Sequence, residues 1–251
     1  MIEFKDVTKI FNQDTDHSTI ALNHLCLQIE KGDFVAVMGP SGSGKTTLLN
    51  VMTGALPVTS GTITVNGQKI SEMSETDLNL FRAQCLGFIY QDFHLLNSMT
   101  IYENLALPLA RLNYSRKEIR QKINTIANKL DIAKLYEKYP IQCSGGQRQR
   151  VVIARAMVTR PSVLVADEPT GNLDLKNSQK VMCLLKEFHQ KETTLIVVTH
   201  DCMVASYADR VICLKDGNIE NQLVRNNLSQ EAFYKQILQY YASDFWQEAG
   251  A

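Results

Sequence analysis

No run of 18 apolar residues occurs anywhere in this chain, so nothing in it reads as a bilayer-spanning helix. Charge of a dominant sign is also missing: Lys plus Arg number 26 and Asp plus Glu 26, for a formal net charge of zero. A balanced chain has no bulk attraction for a polyphosphate backbone, and nucleic acid is therefore not expected as a partner. Cysteine is sparse and scattered. The six, at 26, 85, 143, 183, 202 and 213, form no Cys-x-x-Cys pair, which argues against a zinc site or a redox dithiol. They read as free thiols in a reducing cytosol. With 13 Gly and 6 Pro the chain is not low-complexity, and Met1-Ile2-Glu3-Phe4-Lys5 is neither a signal nor a transit peptide. Such a protein is soluble or held at a membrane by a partner.

What is present is apolar patterning sufficient for a core: 45% hydrophobic residues over 251 positions suit one large domain, or one domain with an insertion. Residues 2–11 and 21–30 alternate apolar and polar positions, as half-buried strands do. Residues 12–19 between them are polar and loop-like. Asp33 to Met38 is a denser apolar run suited to a buried strand, and Thr46 to Thr53 reads as a helix. Asn66-Gly67 between two β-like runs signals a hairpin over 61–70. From about Thr100 to Tyr139 the pattern turns helical and ends at Pro140. Strand-like runs return at 163–166, 194–198 and 211–214, separated by helical stretches, as in a largely parallel sheet. In the tail, Phe233, Ile237, Leu238, Tyr241 and Phe245 fall roughly on one helical face.

Gly39-Pro40-Ser41-Gly42-Ser43-Gly44-Lys45-Thr46 fits the phosphate-loop pattern, with a strand before it and a helix after it. Glycines there let backbone N–H groups close around phosphate oxygens, and the helix N-terminus adds partial positive charge. Lys45 would reach the β- and γ-phosphates and the Thr46 hydroxyl would ligate Mg²⁺. Val163–Ala166 is a strand-like run ending in Asp167 and Glu168, where a carboxylate can hold Mg²⁺. Between these motifs stands Ser144-Gly145-Gly146-Gln147, preceded by Cys143.

A phosphate loop, then Ser-Gly-Gly-Gln, then a strand ending Asp-Glu, in that order over about residues 2–220, resembles the ATP-binding cassette (ABC) ATPases. The resemblance implies an α/β fold with a RecA-like parallel-sheet core, an N-terminal antiparallel β subdomain and an α-helical subdomain at about 92–160. The cassette would occupy 1–225, with a helical extension at 226–251. It implies ATP and Mg²⁺ as cofactors, bound by Gly39 to Thr47, with Phe11 stacking on adenine where relatives carry Tyr. It makes Glu168 the carboxylate that polarises the attacking water, His200 the switch histidine, and Gln91 the glutamine that senses Mg²⁺ and the γ-phosphate. By the same resemblance Asp167, Thr46 and Gln91 would face the metal. Asp174 closes a D-loop, Pro169 to Asp174, at the interface with a second copy. Ser144, Gly145, Gly146 and Gln147 would complete that second copy's site. Cys143 replaces the commoner Leu, beside these contacts.

Within the family, the 166–174 stretch looks like the lipoprotein-releasing, macrolide-export and peptide-antibiotic-resistance branch. Leu86 to Leu96, His200 to Val211 and the Gln230-Glu231-Ala232-Phe233-Tyr234 tail look most like the bacitracin-resistance type. That implies a bacterial protein at the cytoplasmic face of the membrane, paired with itself and with an integral-membrane permease. A cell-division-type ATPase that signals without transport uses the same engine. Translation factors, with two cassettes and a basic linker, and chromosome-type relatives, with coiled-coil arms, do not match this chain.

Overall fold

A computed structural model describes residues 1–13, 17–189 and 193–249. It forms two compact units, one built from Met1–Ser71 with Ile196–Ala251, the other from Glu72–Leu195.

The first unit opens with β1 (Ile2–Phe11) and β2 (Thr19–Ile29), an antiparallel pair in which Ile2 faces Ile29 and Phe4 faces Leu27. Strand alternation puts these four side chains in the core, each at most 5% exposed. β3 (Phe34–Met38) is buried at every position, as a strand covered on both faces must be, and it feeds the loop that starts α1 (Lys45–Met52). β4 (Ser60–Val65) and β5 (Gln68–Lys69) complete an antiparallel sheet in the order β2-β1-β4-β5. Their turn is Asn66-Gly67, both at positive φ (50° and 81°), the conformation a tight hairpin of this type demands.

In the second unit the chain runs through α2 (Glu75–Cys85), β6 (Leu86–Ile89), α3 (Ile101–Arg111), α4 (Arg116–Lys129) and α5 (Gly145–Met157). It continues through β7 (Val163–Asp167) to α6 (Leu175–His189). β6 and β7 pair in parallel, from Leu86 opposite Val163 to Ile89 opposite Ala166. Three helices start on one local device. Thr100, Ser115 and Ser144 each accept from the amide three residues on, and the Glu103, Glu118 and Gln147 side chains each accept from the cap's own amide. Such a cap contributes about 1 kcal/mol per helix. Hydrogen bonds from the Thr100 amide and the Ser115 hydroxyl hold the Glu103 and Glu118 carboxyls below the usual range. These two caps therefore weaken only as pH falls through those lowered values.

β8 (Thr194–Val198) leads back into the first unit, which closes with α7 (Cys202–Ala205), β9 (Arg210–Lys215), β10 (Asn218–Val224) and α8 (Gln230–Ala249). β9 lies parallel to β3 and antiparallel to β10, so the sheet is parallel-rich with an antiparallel edge. The tail does form a helix, but its buried stripe is narrower than its periodicity suggests. Phe233 and Ile237 are fully buried, whereas Leu238 is 40% exposed, because the stripe follows i, i+4 spacing and Leu238 lies one step around the helix from it. The Phe245 side chain lies outside the described residues. Truncating Phe233 to Ala should cost about 3–5 kcal/mol in denaturant unfolding, while Leu238→Ala should cost well under about 1 kcal/mol. Equal losses would contradict this packing.

Candidate functional site

The phosphate loop of the first unit leaves β3 where the sheet is tightest. A Cβ on Gly39 would stand 2.0 Å from the Leu214 carbonyl oxygen at the end of β9, so only glycine fits there. Gly42 (φ 83°) and Gly44 (φ 99°) take the left-handed turns that lead into α1. The loop is tied down from both sides: the Gly217 amide donates to the Ser43 carbonyl at 3.1 Å, and Lys45 Nζ donates to the carbonyls of Gly39 and Pro40 at 2.9 and 2.7 Å. Ser43 Oγ is buried with no hydrogen-bond partner, and Gly44, at the N-cap of α1, supplies no side-chain cap. A helix N-terminus with uncapped amides, a cationic side chain and a glycine cradle matches the demands of a phosphate group. Pro40, Ser41, Gly42 and Thr46 are exposed; Thr47 is half-buried.

In the same unit, Phe11 ends β1 with its ring 37% exposed and Lys9 Nζ 5.3 Å from the ring centroid, so it is a surface aromatic and not a core one. His200 is exposed just past β8. Its neighbours are fixed: the Thr199 amide donates to the Val37 carbonyl at 3.1 Å, the Asp201 amide donates to Thr199 Oγ1 at 3.0 Å, and Asp201 Oδ1 caps α7 by accepting from the Met203 amide at 2.7 Å.

The second unit assembles the other expected residues around the ends of β6 and β7. Asp167 is the last residue of β7, after four buried positions, and Glu168 follows it in the left-handed region at φ 45°. A non-glycine residue held there costs about 1–2 kcal/mol, which surrounding contacts must supply. They do so: the Gly171 amide donates to the Glu168 carbonyl at 3.1 Å, and the Gln149 carboxamide, on α5, donates to the Pro169 carbonyl at 2.6 Å. Asn172 Nδ2 donates to the Gln91 carbonyl at 2.9 Å, joining the expected D-loop to the exposed Gln91. Asp174 accepts from the Asn177 amide at 2.9 Å and from its carboxamide at 2.6 Å, and these bonds lower its pKa.

Ser144 to Gln147 forms the first turn of α5. Ser144 is exposed, and its backbone and Gln147 cap each other. The expectation that the Cys143 thiol borders this surface is corrected. Its side chain is 5% exposed and donates to the Tyr139 carbonyl at 3.7 Å, and burial pushes the thiol pKa up. A thiol turned inward like this is a poor target for alkylation.

After Gln91 the chain makes a strained turn at Phe93 (φ 61°) and His94 (φ 47°). Arg155 donates to both of their carbonyls, and the Arg148 guanidinium lies 5.0 Å from the Phe93 ring centroid. Tyr90 stacks on His94 at 4.5 Å and on Phe88 at 5.5 Å. The fully buried Asn104 pins the loop beyond, bonding both the amide and the carbonyl of Leu96 at 2.8 and 3.1 Å. Gln149, Arg155, Asn104 and Asn172 escaped the sequence reading as site residues. For Gln149 a signal existed: it is the one polar member of an otherwise apolar α5 stripe with Val152, Ile153 and Ala156.

A glycine loop on a helix N-terminus after a buried strand, and paired carboxylates after another, define a phosphate-loop nucleotide-binding protein. The chain belongs to the ABC transporter family, whose pattern matches residues 22–171. It is 44% identical to the ABC transporter ATP-binding protein YxdL of Bacillus subtilis over 95% of this chain and 92% of that protein. Identity to the bacitracin export ATP-binding protein BceA of Halalkalibacterium halodurans is 42%, over 86% of each. Among solved structures, a dimeric post-hydrolysis state of the cassette MJ0796, bound to ADP and Pi, is 36% identical with a TM-score of 0.83, covering 91% of this chain and all of that one. The chain is thus an ABC ATPase, the ATP-binding subunit type of a transporter. Among the described residues no helix is long and apolar enough to cross a membrane.

Two glycine substitutions separate close approach from backbone conformation. Gly39→Ala should destabilise the protein by more than about 3 kcal/mol and abolish nucleotide binding, since the added methyl meets backbone. Gly42→Ala, with open space around its Cβ, should cost only about 1–2 kcal/mol. Thermal shift with and without ATP reads both.

Proposed function

We propose that this ATPase binds ATP with Mg²⁺, closes on a second copy of itself, and drives a membrane permease that protects a bacterial cell from cell-wall-targeting peptide antibiotics. The observation that carries the transport class is the ordered set of ATPase motifs on this fold. The narrower reading is supported by the bacitracin-type character of residues 86–96 and 200–211 and by the similarity to BceA.

In this reading the phosphate loop, residues 39–47, cradles the phosphates, with Lys45 as counter-charge and Phe11 offering its exposed face to adenine. Thr46, Asp167 and Gln91 offer hydroxyl, carboxylate and amide oxygens, the hard donors that suit Mg²⁺. When bound, the ion neutralises charge building on the phosphate oxygens. Glu168 orients and polarises the attacking water, and the exposed His200 imidazole steadies the γ-phosphate.

Ser144, Gly145, Gly146 and Gln147 act on the second copy's nucleotide, and Asp174 shapes the D-loop beside it. Two apolar side chains near these segments support a partner surface: Ile141 is 82% exposed and Leu175 69%. The permease docks on the turn after Gln91, where strain and the Arg155 clamp hold Phe93 to Leu96 in a fixed shape. In this reading the protein works at the cytoplasmic face of the membrane.

Two experiments test the reading. Glu168→Gln should bind ATP, accumulate as a nucleotide-bridged dimer, and hydrolyse about 10²–10⁴-fold more slowly with Mg²⁺ present; near-normal turnover removes Glu168 from the role. Leu96, 45% exposed, is the safer docking probe, because the Phe93 ring is engaged with Arg148. Leu96→Asp should keep ATP binding, leave the membrane fraction, and sensitise cells to bacitracin or lantibiotics as strongly as Lys45→Ala. If Lys45→Ala cells keep full resistance to every such peptide, the antibiotic assignment fails and the ATPase assignment stands.

A further inference from the structure

We propose that Gln149 is a positioning residue that holds Glu168 in its working conformation and ties it to the Ser144 end of α5. The inference rests on the reading of Glu168 as the water-polarising carboxylate. Gln149 is 1% exposed, and its Nε2 donates to the carbonyl of Pro169, the residue directly after Glu168, at 2.6 Å. Pro169 is itself buried, so its carbonyl needs a donor from within the fold. An unpaired buried carbonyl is costly, and the cheapest relief is rotation of the peptide toward another donor or water. That rotation changes ψ of Pro169 and φ of Thr170, inside the turn that the Gly171 amide closes onto the Glu168 carbonyl, and so loosens the turn that holds Glu168 at its φ of 45°, outside the regions a glutamate prefers. The Gln149 carboxamide therefore holds the turn that presents Glu168, without touching the reacting atoms.

The same side chain makes a mechanical link. Gln149 lies five residues beyond Ser144 on one continuous helix, about 7.5 Å along its axis. A displacement of the α5 N-terminus, where the second copy's nucleotide would bind, is carried through a rigid helix to the Pro169 carbonyl. Asn172, the residue immediately after the Glu168–Gly171 turn, carries the link to the Gln91 carbonyl. Recognition at one end of α5 is thereby registered in the same subunit's own hydrolytic carboxylate.

The test is a double-mutant cycle on the full-length protein, with ATP turnover measured at saturating Mg²⁺. Gln149→Met keeps an unbranched side chain of similar volume and removes the donor. It should lower kcat about 10- to 100-fold with KM for ATP within about threefold. In the Glu168→Gln background the same change should lower kcat by less than about twofold, because the group it positions is already gone. A loss of equal size in both backgrounds, or no loss in the wild-type background, overturns the inference while Glu168 keeps its role. Wild-type turnover by Glu168→Gln alone overturns both.

Gln149→Glu decides the matter if the Met variant does not fold. A buried carboxyl facing a carbonyl has its pKa raised, so it donates a hydrogen bond below that pKa and becomes an anion aimed at the carbonyl above it. Its kcat relative to wild type should climb as pH is lowered from about 8 to about 6. A ratio that stays flat or falls overturns the proposal.

Discussion

Loops that carry chemistry in this chain leave the ends of buried strands, and there the sheet ladder no longer pairs their peptide groups. Each buried carbonyl or amide must then find a partner elsewhere, and in this protein the partners are few and specific. In the first unit the Gly217 amide and the Lys45 ammonium serve the phosphate loop, while the Leu214 carbonyl presses so close that residue 39 has no room for a side chain. In the second unit Gln149 serves Pro169, Arg155 serves Phe93 and His94, and Asn172 serves Gln91. The backbone shape of each functional loop is set by one or two such bonds.

This arrangement explains how two of these loops hold strained backbone. Glu168, Phe93 and His94 all hold positive φ without being glycine, and each sits in a turn closed by one of those donors. Burial supplies the leverage. Arg155 is buried enough for its pKa to be lowered, and burial also raises that of Tyr90, which stacks on His94 beside it. A cation kept in such a place holds its carbonyls strongly, because few waters compete for them. The turn it clamps becomes a rigid feature that a partner can grip. Ser144 and Gln147 obey the same economy: the residues expected to meet a phosphate are also the capping box that starts α5.

The family was legible in the sequence because its motifs depend on residue types at fixed spacing. Gly39 to Thr46, Ser144 to Gln147 and Asp167-Glu168 announce themselves because phosphate, metal and water each demand particular groups in a particular order. The strands β1 to β4 were legible by period and by the Asn66-Gly67 turn. Other features were not, for physical reasons. β10 has one buried residue, Leu223, and no apolar alternation to reveal it. The Leu238 side chain shares a rough helical face with Phe233 yet misses the buried stripe. Cys143 turns inward toward Tyr139, a choice that adjacency to Ser144 does not disclose. The donors that hold the loops are invisible for a deeper reason: Gln149 reaches Pro169 across 20 residues and Arg155 reaches Phe93 across 62, and local patterns encode neither.

The central claim is that two copies of this chain share each hydrolysed ATP, one supplying Lys45 and Glu168 and the other supplying Ser144. Its most direct measurement is specific ATPase activity at saturating ATP and Mg²⁺ over a wide range of protein concentration, with oligomeric state followed in parallel. Turnover per subunit should vanish at high dilution, rise with concentration, and level off where the ATP-bound species is dimeric. A turnover per subunit that is constant from fully monomeric to concentrated protein would contradict the account.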